Sequence, residues 1–205
     1  GKSGFDAELE LHDRVGATTE YYDYTNLEEV PQDCHTIYGA LIKDKAVCDG
    51  FSKTLQILLD RKGIENIIIL GTLENESHAW NLVKIEDGWY HVDLTSSKAI
   101  KDADVRIVLH TYFNLTTEQI EKTHKIDNKE ILPDANSNKY NYYKCTGKSI
   151  SVADNFNTKF KKLLDNNTNK YLLEFSTEGI KNVPEKMVDF LSQNKYNDYI
   201  SNNKI

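Results

Sequence analysis

Between Cys48 and Thr95 the chain has almost no slack, and this stretch constrains the fold more than any other. From Cys48 the apolar positions Phe51, Leu55, Leu58 and Leu59 recur at i, i+4, i+7 and i+8, which is one face of an α-helix. Gly63 follows Arg61-Lys62, so basic residues fall in the last turn, where the helix dipole favours them, just before a residue suited to the C-terminal stop. Asn66 to Leu73 then reads as a continuous, buried strand. His78 to Ile85 and Trp89 to Thr95 flank Glu86-Asp87-Gly88, a hairpin signal. The spacing therefore predicts one helix followed by three strands.

Three residues of this stretch can do chemistry together. Cys48 stands at the start of the helix, after the extended Lys45-Ala46-Val47. Backbone N–H groups and the positive end of the helix dipole favour an anion there, and the thiolate is the nucleophilic form of cysteine. An imidazole nearby can take the thiol proton, and a carboxylate can orient that imidazole. The hairpin supplies both, His78 on its first strand and Asp93 on its second. If Glu86-Asp87 form the tip, Asp93 lies opposite Trp80 and diagonal to His78 on one face. A slip of one residue puts the two on opposite faces, and sequence alone allows either register. The backbone N–H of Cys48 is the expected oxyanion donor. Tyr38, placed before the nucleophile in a segment read as extended, is a second candidate donor. Trp80 is read as hydrophobic wall and core, or as a residue lining the cleft beside the histidine strand.

The flanks are plainer. Phe5, Leu9, Leu11 and Val15 read as a helix, followed by an extended segment through Tyr21, Tyr22 and Tyr24. Val105 to Leu115 reads as a strand, and Thr116-Thr117-Glu118 caps a short helix through Thr123. Polar residues with Pro133 make 125–139 a linker. Beyond it, Phe156, Phe160, Leu163 and Leu164 mark a helix, Tyr171 to Phe175 a strand, and Val183 to Tyr196 a helix with Pro184 in its first turn. The expected organisation is a core over 5–124, the linker, and a small C-terminal α/β region over 140–205.

Several segments together resemble the transglutaminase-like superfamily, especially its bacterial members. Tyr38-Gly39-Ala40-Leu41 and Lys45-Ala46-Val47-Cys48-Asp49-Gly50-Phe51-Ser52-Lys53 are similar to its nucleophile segment. Gly63-Ile64 and Gly71-Thr72 continue the pattern. His78-Ala79-Trp80-Asn81-Leu82-Val83-Lys84-Ile85 is similar to its histidine strand, Trp89-Tyr90-His91-Val92-Asp93-Leu94-Thr95 to its aspartate strand, and Tyr112-Phe113-Asn114-Leu115 to the strand that follows. Tyr140 to Tyr143 more loosely resembles the start of a small C-terminal region of some such proteins. The resemblance implies an α+β, papain-like core with the nucleophile helix packed on an antiparallel sheet, and puts Cys48, His78 and Asp93 on the catalytic triad. It implies thiolate attack on an amide carbonyl, with a thioester resolved by an amine or by water. Where family members often carry Trp-Asp after the aspartate strand, this chain has Ser96-Ser97.

Composition narrows the rest. With 25 basic against 32 acidic side chains and a net charge of -7, phosphate-backbone binding is not expected, so nucleic acid is not a predicted partner. The longest apolar run, Ile67 to Leu70, is far below the ~18 residues of a membrane span. Three cysteines exclude a fully paired disulfide scaffold; Cys34 and Cys145 are read as spare thiols, with a bridge between them as the alternative. His91 is read as a packing or supporting residue, and His12, His35, His110 and His124 lack metal-ligand spacing. No phosphate loop, zinc knuckle or HExxH helix is present. The chemistry requires no metal or organic cofactor. The expected partner is a protein or peptide substrate, cell-wall peptide included; oligomeric state is not legible. Gly1-Lys2-Ser3-Gly4 carries no signal sequence, and the leading Gly is read as a trimmed N-terminus, so the expected location is extracellular or cell-surface, the cytoplasm being the alternative. The rival to an enzyme is an inactive surface-binding or scaffolding module on the same fold.

Overall fold

The Ser3 side chain accepts the N–H of Asp6 and opens α1 (Gly4–Thr18), whose buried face carries Phe5, Leu11 and Val15 together with two titratable residues, Glu8 and His12. The computed structural model describes residues 3–97, 100–102, 105–168 and 172–194, and the chain divides after Tyr142 into two units. In the first, β1 (Glu20–Tyr21) pairs in parallel with β2 (Lys45–Ala46). Between them lie two 3₁₀ turns, Leu27–Glu29 and Gln32–His35, and the short helix α2 (Ile37–Ile42). The central helix α3 runs Cys48–Arg61 and packs on the next two strands, β3 (Asn66–Leu73) and β4 (Glu76–Ile85). Gly63 follows at φ 71°, the left-handed stop expected there.

With β5 (Gly88–Val92) these strands form an antiparallel sheet, and β8 (His124–Ile126) completes the order β5-β4-β3-β8. Glu86 (φ 52°) and Asp87 form the hairpin tip, and Gly88 pairs with Ile85. The ladder runs Lys84 to Trp89 through Asn81 to Val92; its next step sets Asp93 against Trp80, the register that brings His78 and Asp93 to one place. Alternate residues of β4 serve different neighbours. Trp80 and Leu82 pack with Ile69, Ile120, Ile126 and Ala135, whereas the Asn81 amide donates to the Ser52 carbonyl on α3. The expected α+β core, a helix on an antiparallel sheet, is therefore present.

Four sequence expectations are corrected. β3 is not buried on both faces: Ile69 is buried but its neighbour Leu70 is 62% exposed. The strand read over Val105 to Leu115 is β7 (Val105–Ile107), paired with β6 (Ile100–Asp102). Beyond it the chain turns, with the Phe113 N–H donating to His110 O and Asn114 in left-handed backbone, before Leu115 bridges His91. Thr116 and Gln119 then form a capping box on α4 (Thr117–Ile120). The segment 125–139 is not a linker, because β8 pairs with β3 and Ala135 is fully buried in the first unit; polar composition there reflects a short edge strand and its loops.

In the second unit, β9 (Ser149–Ser151) pairs in parallel with β10 (Ser176–Glu178). The short helix α5 (Tyr142–Cys145) precedes β9. Ile150 packs with Phe160 and Leu164 of α6 (Phe156–Asn166) and with Phe190 and Leu191 of α7 (Val183–Gln193). The strand expected at Tyr171 to Phe175 instead lies at Ser176–Glu178; Tyr171 and Tyr196, which closed the predicted α7, are outside the described residues. No helix among the described residues is long and apolar enough to cross a membrane.

Candidate active site

Cys48 is the first residue of α3, with extended Val47 before it and no side chain capping the turn. The surroundings of that turn explain its position. A Cβ on Gly50 would overlap the carbonyl oxygen of Cys34, so only glycine lets the 32–35 turn press against the helix start. The same Cys34 carbonyl accepts the Val47 N–H at 3.0 Å. Asp49 binds His35 Nδ1 at 2.9 Å and Lys53 Nζ at 2.8 Å, fixing the residue next to the thiol. Ser52 Oγ lies 2.8 Å from the Cys48 carbonyl oxygen and 2.9 Å from that of Ala79 on β4. One hydroxyl thus joins the nucleophile's turn to the residue after His78.

His78, whose strand position faces Gly71 of β3, has Nε2 2.9 Å from Asp93 Oδ2, and Cys48 acts on its ring. With Nε2 committed to Asp93, Nδ1 is the nitrogen left for the thiol. Burial pulls the His78 pKa down, but the hydrogen bonds and charges of Asp93 and Cys48 outweigh it and raise the value to about 9. Asp93 is fully buried, just beyond β5. Burial pushes its carboxyl pKa up, yet hydrogen bonds from His124, His78 and Ser96 hold it well below the usual carboxylate range. The two serines that follow serve this residue: the Ser96 N–H donates to Oδ1 at 3.2 Å, and the Ser97 hydroxyl donates to the Asp93 carbonyl at 2.9 Å.

A second imidazole on Asp93 was not anticipated. His124 Nε2 lies 3.0 Å from Asp93 Oδ2, and both side chains are fully buried. Its short polar strand reads as linker in sequence, which hides the contact. Trp80 is also fully buried, so it does not line the cleft. It stacks beside the His78 ring at 6.0 Å, sets its edge against His124 at 5.0 Å, and donates its Nε1–H to His91 Nδ1 at 3.1 Å. His91 accepts there, is held neutral by burial with its pKa lowered to about 4, and so supports packing as expected.

Tyr38 is corrected as well. Residues 37–42 are helical rather than extended, begun by Thr36, which accepts the Gly39 N–H. Tyr38 is 49% exposed on a separate depression with His35 and Gln56. The tyrosine that feels the charge of Cys48 is Tyr21. It lines the cleft of about 450 Å³ that also holds His78, Tyr24, Phe51 and Ser96. Burial, its hydrogen bond with Tyr24 and the charge of Cys48 all push its pKa up, keeping it a proton donor. Glu20, Asp23, Glu74 and Glu76 give this cleft an acidic rim, with Arg106 bound to Glu20 at 3.0 Å.

The three cysteines form no disulfide; Cys34 is buried and Cys145 exposed. Two groups among the described residues bring three potential ligand atoms within 4.8 Å of one another: His78, Asp93 and His124, and His12, Asp13 and His110. In each, one carboxylate oxygen sits at hydrogen-bond distance from two imidazole nitrogens.

Residues 2–94 match the Transglut_core family model, the transglutaminase-like superfamily. No curated protein matches the chain. Among solved structures, a crystal structure of a TGase is 18% identical over 49% of this chain and 34% of its own, with a TM-score of 0.35. A protein of Cytophaga hutchinsonii, named as a candidate cysteine protease, is 17% identical over 49% and 34%, with a TM-score of 0.36. The chain spans about a third of the length of either. The matched stretch ends one residue past Asp93, so the part of the chain that is similar to the transglutaminase-like superfamily holds Cys48, His78 and Asp93.

Proposed function

We propose that the first unit is a cysteine-dependent enzyme of acyl transfer or amide hydrolysis, with Cys48 as nucleophile, His78 as proton carrier and Asp93 as the group that orients it. The observation that carries this reading is the 2.9 Å contact of His78 Nε2 with Asp93 Oδ2, with His78 lining a cleft and Cys48, first residue of α3, acting on the His78 ring. A His78 pKa near 9 keeps the imidazole protonated at neutral pH, and the form of cysteine that attacks is the thiolate. The thiolate of Cys48 attacks a carboxamide or peptide carbonyl, forming the C–S bond and a tetrahedral oxyanion. The Cys48 backbone N–H and the Tyr21 hydroxyl are the donors we assign to that oxyanion. His78 gives its Nδ1 proton to the leaving nitrogen as the C–N bond breaks, releasing an amine or ammonia and leaving a thioester. Water or a second amine then attacks the thioester, giving its proton to His78, and the acyl–sulfur bond breaks to restore the thiolate.

The substrate we propose is a protein or peptide, cell-wall peptide among them. The acidic rim of Glu20, Asp23, Glu74 and Glu76 favours neutral or cationic groups over anionic ones near the thiol. The decisive test is ammonia and amine release from glutamine-containing proteins and cell-wall peptides, with and without an added primary amine. Release that requires Cys48 is the expected result, and the added amine separates transfer from hydrolysis. Normal turnover by Cys48→Ala on any substrate found would end the proposal.

A further inference from the structure

We propose that His124 is a positioning residue for this site: through its hydrogen bond to Asp93 it sets how firmly His78 holds its proton. The inference rests on the reading of Cys48 and His78 given above.

The geometry leaves His124 one role toward Asp93. Its Nδ1 lies 2.8 Å from Thr123 Oγ1 and its Nε2 lies 3.0 Å from Asp93 Oδ2. An ionised carboxylate only accepts, so a ring proton is on Nε2. The ring has no room to turn: Trp80 meets it edge-on at 5.0 Å, and Tyr112 at 5.3 Å. Asp93 Oδ2 therefore divides its charge between His78 Nε2–H and His124 Nε2–H, while Oδ1 takes the Ser96 N–H. Each donor that stabilises the carboxylate reduces its hold on the proton of His78. The charged and titratable neighbours of this trio are Cys48 from α3, His12 from α1, which acts on Asp93 through space, and His91 of β5, which is held neutral and feels His124. None of these replaces the His124 donor.

The test needs no substrate. Carboxymethylation of Cys48 by iodoacetate, an anionic reagent that reacts best with a thiolate beside an imidazolium, is followed against pH in the full-length chain. The tryptic peptide containing Cys48 is quantified so that Cys34 and Cys145 do not contribute. Wild type should lose rate as pH rises through about 9, the His78 value. His124→Leu, which removes the donor but keeps volume, should move that limb upward by roughly one pH unit, tenfold in proton affinity. His124→Gln, which supplies an amide N–H, should return it toward wild type. If His124→Leu does not fold, His124→Met, unbranched and without an N–H, tests the same point; the limb should again move upward. Limbs that coincide in wild type and in folded His124→Leu or His124→Met overturn the inference and leave the Cys48–His78 reading standing. A wild type without the limb overturns both.

Discussion

The hydroxyl of Ser52 lies 2.9 Å from the carbonyl oxygen of Ala79, tying the helix of Cys48 to the strand of His78. The same hydroxyl lies 2.8 Å from the Cys48 carbonyl, and Ser52 is itself buried. Asn81 Nδ2, donating to the Ser52 carbonyl at 3.1 Å, is a second joint between the same two elements; the Ser52 hydroxyl is the one that reaches the carbonyl of Cys48 itself.

Ser52→Ala should therefore cost both stability and reactivity. Leaving a buried carbonyl unpartnered costs about 1–3 kcal/mol, which denaturant unfolding measures directly. The rate of Cys48 alkylation at pH 7 should fall with it. A variant with wild-type alkylation and wild-type stability would show that the joint does not set the site.

The pH dependence of stability follows from His78. Its pKa is raised in the folded state from 6.5 to about 9, so its contribution is fully present below pH 6.5 and is lost as pH rises through 9. The loss should amount to at most about 3 kcal/mol. Asp93 acts in the opposite sense: its folded pKa lies below the ordinary value, so its contribution is present above the unfolded pKa near 4 and disappears as acid protonates it. Urea unfolding between pH 6 and 10 in wild type and His78→Gln tests this, with the variant expected to lack the alkaline decline that His78 causes.

Glu8 adds a second alkaline loss, which can be removed. Its side chain is fully buried on α1; Oε2 accepts from Asn114 Nδ2 at 2.8 Å, but Oε1 has no hydrogen-bond partner. Burial raises its pKa to about 8, against the weaker lowering by Asn114. A raised folded pKa means the acid enters the core neutral, and stability falls as pH climbs from about 4.5 toward 8. Glu8→Gln keeps the shape and the Asn114 contact without an ionisable group. It should raise unfolding free energy at pH 8 by a few kcal/mol and leave it nearly unchanged at pH 4. A Gln variant no more stable at pH 8 would mean that Glu8 is already ionised and solvated in the folded protein.

The parts of the fold legible in sequence are those where one residue type has one local use. The 3.6-residue period from Cys48, Gly63 at the helix stop and the turn residues after Ile85 each specify geometry within a few positions, and the hairpin tip then sets the register that joins His78 to Asp93. What escaped the sequence is long-range and polar. His124 lies 31 residues from Asp93, on a three-residue strand whose composition is that of a loop. Ser52 and Ser96 look like ordinary surface serines until their partners are placed. Tyr38 and Tyr21 are equivalent as sequence; only Thr36 capping a helix over 37–42 turns Tyr38 away, while β1 pairing with β2 brings Tyr21 beside the residues that lead into Cys48.

That last contrast is testable on the two tyrosines together. Tyr21 lines the cleft with His78, and burial, Tyr24 and the charge of Cys48 push its pKa up. A donor aimed at a developing oxyanion acts on the transition state more than on bound substrate, and removing one costs about 10²–10³ in kcat. Tyr21→Phe should lower turnover on that scale with little change in KM. Tyr38 is half exposed on another depression, its ring 5.7 Å from Lys43 Nζ, and Tyr38→Phe should leave turnover within about twofold, as expected of a surface change distant from the chemistry. The reverse ranking, with Tyr38→Phe the slower enzyme, would require the oxyanion to form on the α2 side of Cys48 and would remove Tyr21 from the mechanism.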